Sequence, residues 1–345
     1  MGAATDKVTD SASDKAVANA WRVVADVGGT NARFAVARDE GSISLVTRYS
    51  VDQYPSIEQA LSVFLHEVAV HGYSGTPDAA CFALAGPIDG DEIRFTNSAW
   101  VASRSRLSSA LGGISVDFLN DFAAIGHAIP YLDSSDWVQM GGGASHVAYP
   151  IVVLGPGTGL GVCTLLETEH GVTVVEGEGG HADFAPTNSD EALVLDVLSA
   201  RFGRVSIERL LSGDGLLNIY GALVELESLS PGQSGGSVVA EPSDVSALAL
   251  AGNDPVAVRA LTMFCNILGS VAGNLALTLG AKAGVYIAGG IPGKVLSFLE
   301  NSDIRARFEA KGRFQAYLQN IPLRVVIKED LGLLGAAHFL SNRRP

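Results

Sequence analysis

The sequence predicts an α/β protein of two lobes, from three observations. At 345 residues, the chain exceeds the roughly 250–300 residues at which a single core stops growing. Short apolar runs that end in glycine alternate with stretches of helical periodicity, as expected for sheets covered by helices. A strand–turn–strand pattern also occurs twice. VVADVGGTNARFAV and IVVLGPGTGLGVCT align when Thr30 is laid on Thr158, about 128 residues apart, which makes a weak internal repeat.

The first lobe begins at Trp21. Val23–Val27 and Ala32–Ala37 are adjacent strands across a tight turn at Gly28-Gly29. Ser42–Ser50 is a third strand, and Ser56–His71 is helical with Ser56 as N-cap. A strand over Ala79–Leu84 ends in Gly86-Pro87. Ser103–Leu111 reads as helix, and Val116–Leu119 as a short strand with Asn120-Asp121 at its end. After Pro150 the pattern restarts with Ile151–Leu154, a Gly/Pro/Thr turn at 155–159, and Leu160–Leu166. Helices follow over Asp190–Phe202, Gly215–Leu226 and Pro255–Leu279, then a strand over Val285–Ala288 and a closing helix near Leu333–Leu340. Pro231–Ser237 is rich in Gly and Ser and reads as a surface loop; the first twenty residues read as a flexible tail.

Composition narrows the function classes. The chain carries 23 Lys+Arg against 37 Asp+Glu, a net charge of −14. With no basic stripe, neither nucleic acid nor an anionic membrane is an expected partner. Cys81, Cys163 and Cys265 are far apart and flanked by apolar residues, so buried thiols in a reducing cytoplasm are expected. No unbroken apolar run approaches the ~20 residues of a membrane span, and the N-terminus has no signal pattern.

Five segments carry chemistry. Gly28, Gly29, Thr30 and Asn31 form a turn that either cradles phosphate through its backbone N–H groups or is an ordinary hairpin. Asp26 beside it would repel a polyphosphate unless a cation such as Mg²⁺ intervenes. GPGTGLG at 155–161 fails the dinucleotide fingerprint, because Leu160 stands where glycine is needed and a strand follows. It reads as a second hairpin, either a phosphate cradle that echoes the first without its acid or a structural turn repeat. Gly289-Gly290 at a strand end either opens space for a flat ligand or makes a tight exit from strand to loop. Asn120-Asp121 either cap a helix or face a ligand, and phosphoryl transfer requires a carboxylate to accept the hydroxyl proton. Glu178, His181 and Glu208 offer the donors and acceptors that a polyhydroxyl ligand needs.

The motifs ADVGGTNARFAVA, AGPI with FTNSAW, NDFAA, LGPGTGLGV, GEGGHADFAP, VSIERLLSG, NLALTLGA, VYIAGGI and GLLGAAHF occur in this order. Over Val23 to Leu340 the chain thereby resembles bacterial glucokinases. The resemblance implies the two-lobed actin-like ATPase (ribonuclease H-like) fold with a central cleft that closes on sugar. It implies a tail at 1–20, a small domain at 21–131 completed by a C-terminal helix at 333–345, and a large domain at 132–332. The implied activity is transfer of the γ-phosphoryl group of Mg-ATP to the 6-hydroxyl of glucose, in a cytoplasmic homodimer. By the same resemblance, Asp121 is the base and Asn97, Asn120, Asp121, Glu178, His181 and Glu208 meet glucose. Gly28, Gly29, Thr30, Asn31, Gly157, Thr158, Gly289 and Gly290 would contact ATP, and Asp26 would hold Mg²⁺ through water. The alternatives are a kinase for another hexose and a non-catalytic sugar sensor. The zinc motif and DNA-binding helix-turn-helix of the related repressor/kinase branch are missing from the sequence.

Overall fold

A computed structural model describes residues 20–95, 98–145, 147–228, 237 and 239–343. Asn97 and the Gly/Ser-rich stretch 231–236 lie outside them. The chain divides into two compact units, one running to Tyr131 and resuming at Asp330, the other spanning Leu132–Glu329.

In the first unit, β1 (Arg22–Val27) and β2 (Asn31–Ala37) form the expected antiparallel hairpin, with β3 (Ile43–Ser50) outside β2. Ser56 caps α1 (Ile57–Val70) by accepting the Gln59 N–H. β4 (Ala79–Leu84) runs parallel to β1. β5 (Glu92–Arg94) and β6 (Val101–Ser103) form a separate small ribbon, after which comes α2 (Arg104–Ala110). β7 (Ser115–Asn120) runs parallel to β4 and feeds α3 (Asp121–Ala128). The sheet order is β3-β2-β1-β4-β7. Phe34, Phe64 and Phe82 fill one face; the C-terminal helix Leu331–Asn342 packs with α3 on the other.

The second unit repeats this order. Its strands are β8 (Trp137–Gln139), β9 (Ile151–Pro156), β10 (Leu160–Thr168), β11 (Gly171–Gly177), β12 (Gly284–Ile287) and β13 (Leu323–Val326). They stand in the order β11-β10-β9-β12-β13-β8. The hairpin, its flanking strand and the two parallel neighbours recur, and β8 is an added edge. The weak repeat of Thr30 on Thr158 is thus a repeat of topology.

The helices of this unit include α4 (Ser189–Phe202), α5 (Gly213–Ser228), α6 (Pro242–Ala251) and α7 (Pro255–Leu279). By length and composition α7 is apolar enough to cross a bilayer, which corrects the expectation from unbroken runs, yet 67% of its most apolar window is buried. It is the central helix of this core: Leu261, Phe264, Cys265 and Leu268 are essentially inaccessible. All three cysteines are buried, as expected, and burial pushes the Cys265 thiol up to about 12.

One half-buried group gives the first unit a pH dependence. His127 on α3 meets the Phe339 ring edge-on at 5.2 Å between centroids. Burial, with His338 beside it, pushes its pKa down to about 4. The unfolded value is near 6.5, so the unfolded chain takes up the proton first. Stability is therefore full above about pH 6.5 and falls as pH drops toward 4, by roughly 3 kcal/mol. Denaturant unfolding at pH 7 and pH 4.5 is expected to show this loss, and His127→Gln to remove most of it.

Candidate active site

In the first unit, Val27, Leu84 and Asn120 stand in register on three parallel strands. Their carboxyl ends share one edge, where open α/β sheets bind ligands. The Gly28–Asn31 turn and the Asn120-Asp121 pair both emerge there, about 10 Å apart by strand spacing.

Asp26 lies one residue inside this edge, opposite Arg33 on β2, and the two are ion-paired. The same guanidinium reaches Asp330 Oδ1 at 2.7 Å. Burial opposes the charge on Arg33, but Asp26 and Asp330 more than offset it and raise its pKa. Gly332, in the first turn of the C-terminal helix, makes room for the carboxylate, since a Cβ there would come 2.7 Å from Asp26 Oδ2. That helix N-terminus favours a negative charge beside it. Asp26 and Asp330 are hard oxygen donors, and among the described residues no group of three or more His, Cys, Asp or Glu could hold a metal. This donor set fits Mg²⁺, which takes one or two carboxylates and otherwise keeps water and phosphate oxygens.

The turn is a hairpin closed by its own backbone. Gly28 N–H donates to Asn31 O at 2.9 Å, and Thr30 O accepts the Val51 N–H at 2.9 Å. The Gly28 amide is therefore engaged internally. Thr30 and Asn31 are exposed, with Asn31 Nδ2 donating to Thr30 Oγ1 at 3.1 Å.

Asn120 is a cap. Its Oδ1 accepts from Phe122 N–H at 2.9 Å and Ala123 N–H at 3.2 Å, while Nδ2 donates to Gly86 O at 3.1 Å. Asp121 is the first residue of α3, half-buried, and its Oδ1 accepts the Phe122 N–H at 2.9 Å. Strand end, cap and helix start thus hold the carboxylate in one orientation at the sheet edge.

In the second unit the β9–β10 turn closes the same way, with Gly157 N–H donating to Gly159 O at 2.8 Å. Thr158 is exposed at its tip. Gly289 has φ +92°, and a Cβ there would lie 2.7 Å from Pro156 O, so both its conformation and its close approach require glycine. Gly290 opens to free space. This places Gly157-Thr158 and Gly289-Gly290 at neighbouring ends of the parallel strands β9 and β12.

Glu178, His181 and Glu208 come together beside that turn. His181 Nε2 is 3.8 Å from Glu178 Oε2, and Nδ1 is 3.8 Å from Glu208 Oε1. The Gly179–His181 helical turn lies flat on β10, because a Cβ on Gly180 would strike Leu160 O at 2.3 Å. Arg204 steadies the segment, bonding His181 O at 2.5 Å and pairing with Asp183 at 2.6 Å.

Sequence reading missed four contributors. Arg33 and Asp330 were not legible as partners of Asp26, although the hairpin register places Arg33 opposite it. Gly159 was legible only as a turn glycine and Gly213 only as the end of VSIERLLSG, not as neighbours of Glu208 and Gly157. Gly213 N–H, at the start of α5, donates to Gly157 O at 2.9 Å, and the Ser-Gly-Asp-Gly run at 212–215 is its only sequence signal.

The family profile described as glucokinase matches residues 23–343. The chain belongs to the glucokinase family. A glucokinase of Tolumonas auensis is 44% identical over 322 residues, 93% of this chain and 97% of that relative. The crystal structure of a glucokinase from an Antarctic psychrotroph superposes with a TM-score of 0.81 at 33% identity, covering 94% of this chain and 99% of the other. A Balamuthia mandrillaris glucokinase solved with glucose shares the fold, with a TM-score of 0.75 at 24% identity and 94% of each chain covered. The expected two-lobed actin-like ATPase fold of the glucokinase family is thus the fold of this chain.

Proposed function

We propose that this chain is an ATP-dependent glucokinase that forms glucose 6-phosphate and ADP. The observation that carries it is the convergence of Glu178, His181 and Glu208 beside the second glycine turn: a set of polyhydroxyl partners next to a phosphate-type loop.

In this proposal Asn120, Asp121, Glu178, His181 and Glu208 bind the sugar hydroxyls, and Asn97 joins them. The Gly28–Asn31 turn, Gly157-Thr158 and Gly289-Gly290 hold ATP. Asp121 accepts the proton of the 6-hydroxyl as its oxygen bonds to the γ-phosphorus. The bond from that phosphorus to the β–γ bridging oxygen breaks, and ADP leaves. Asp26 would hold Mg²⁺ through water, and the ion would neutralise charge on the phosphates. Cytoplasmic residence is supported by the three buried thiols, and a homodimer follows from the family resemblance.

A panel of glucose, mannose, fructose and N-acetylated amino sugars compared by kcat/KM tests the assignment. Glucose is expected to lead by at least an order of magnitude, since a site built to bond particular hydroxyls discriminates strongly against sugars that misplace one. A higher value for another hexose would reassign the substrate.

A further inference from the structure

The Glu208 carboxylate has two oxygens with different surroundings. Oε1 is 3.8 Å from His181 Nδ1, within the cluster assigned to the sugar. Oε2 accepts the Leu160 N–H at 2.8 Å, at the exit of the second glycine turn. A Cβ on Gly159 would come 2.6 Å from Oε2 and 3.4 Å from Cδ, with no other atom among its close neighbours. Gly159 does not adopt a positive φ, so glycine is not required there by the backbone. The missing side chain serves to let Glu208 in.

The same turn is tied to the other end of the Glu208 segment. Gly157 O accepts the Gly213 N–H at 2.9 Å, and Ser212 Oγ donates to Glu208 O at 2.8 Å. Residues 208–213 are thus bonded to residues 157–160 through both a side chain and the backbone. We infer that the Gly159–Leu160 backbone is the positioning element for Glu208, so that the turn assigned to ATP also sets the sugar-binding carboxylate and couples the two ligands. This deepens the proposed function and rests on the assignment of Glu208 to glucose. A sugar hydroxyl that donates to Glu208 Oε1 draws on the same carboxylate charge that Oε2 offers the Leu160 N–H, so it weakens that hydrogen bond and the turn responds. By linkage, the nucleotide changes glucose affinity by the same factor as glucose changes nucleotide affinity.

The test is a double-mutant cycle read by glucose titration of the nucleotide-free protein, with calorimetry as the probe. Gly159→Ala displaces the far end of a flexible side chain, so folding should survive, and a thermal transition near that of the wild type checks this. It is expected to weaken glucose binding by at least about tenfold, the scale of losing a hydrogen bond to a charged group. Glu208→Ala should weaken binding comparably or more. Adding Gly159→Ala to Glu208→Ala should then have no further effect, because the obstructed carboxylate is gone. Unchanged glucose affinity in Gly159→Ala, or equal effects in both backgrounds, would overturn the coupling while leaving Glu208 as a sugar ligand. Unchanged affinity in Glu208→Ala would instead overturn the sugar assignment itself. The second readout is AMPPNP affinity with and without saturating glucose: the wild type should show a ratio different from one, and both variants a ratio near one.

Discussion

Asp121→Asn is expected to lower kcat by roughly 10²–10⁴-fold, the usual contribution of a positioned general base, while leaving glucose affinity close to that of the unaltered chain. The substitution is a narrow one. Asparagine has the same shape and keeps an acceptor for the Phe122 N–H, now bonded at 2.9 Å, so α3 should start as before. What it loses is the capacity to take the 6-hydroxyl proton. Asn120→Ala separates this from a structural effect. It removes the acceptor for two α3 amides and should cost about 1 kcal/mol of stability, which Asp121→Asn should not. Steady-state kinetics with glucose titration and thermal unfolding of both variants make the comparison. Near-wild-type turnover in Asp121→Asn would remove this residue as the base.

The second large effect is expected in the scaffold beneath that residue. Gly335, in the C-terminal helix, has its Cα so close to α3 that a Cβ would sit 1.6 Å from Ala124 O and 3.2 Å from Ala128 N. At an exposed helical site, Gly→Ala stabilises by up to about 1 kcal/mol. Here the sign reverses, because the obstacle is backbone and the two helices must part. Overpacking of this kind costs about 1–3 kcal/mol and occasionally more. Since Asp121 is the first residue of the helix that must move, Gly335→Ala should lose activity as well as stability. Thermal denaturation and kcat measured on the same preparation test both parts; a variant more stable than the wild type would contradict the packing described.

How legible each feature was depended on how local its cause is. Ser56 caps its helix by bonding three residues ahead, and Val23–Val27, Ala79–Leu84 and Pro255–Leu279 carry their own apolar patterns. Such elements read directly from the sequence. β11 was not read, because Gly171–Gly177 is exposed along nearly its whole length and so shows no alternation of buried and exposed residues. α6 follows the Gly/Ser-rich stretch, and its start depends on a capping box between Glu241 and Asp244. Contacts in the candidate site followed the same rule. Asn120-Asp121 at a strand end admitted both a cap and a base, and the capping half is now explicit. The bond from Leu160 N–H to Glu208, 48 residues away, has no local signature, and neither has the ion pair of Asp26 with Arg33 until the hairpin register is known. The repeat of Thr30 on Thr158 was faint in sequence because only the turn and its apolar flanks are shared. Its strength in the fold comes from strand order, which many sequences satisfy.

The most direct measurement is phosphorus NMR of the purified chain incubated with Mg·ATP and glucose, with 6-deoxyglucose in parallel. Glucose 6-phosphate and ADP should accumulate in equal amounts, and 6-deoxyglucose should yield no sugar phosphate. A phosphorylated product from 6-deoxyglucose, or ADP and inorganic phosphate with no sugar phosphate, would contradict transfer to the 6-hydroxyl.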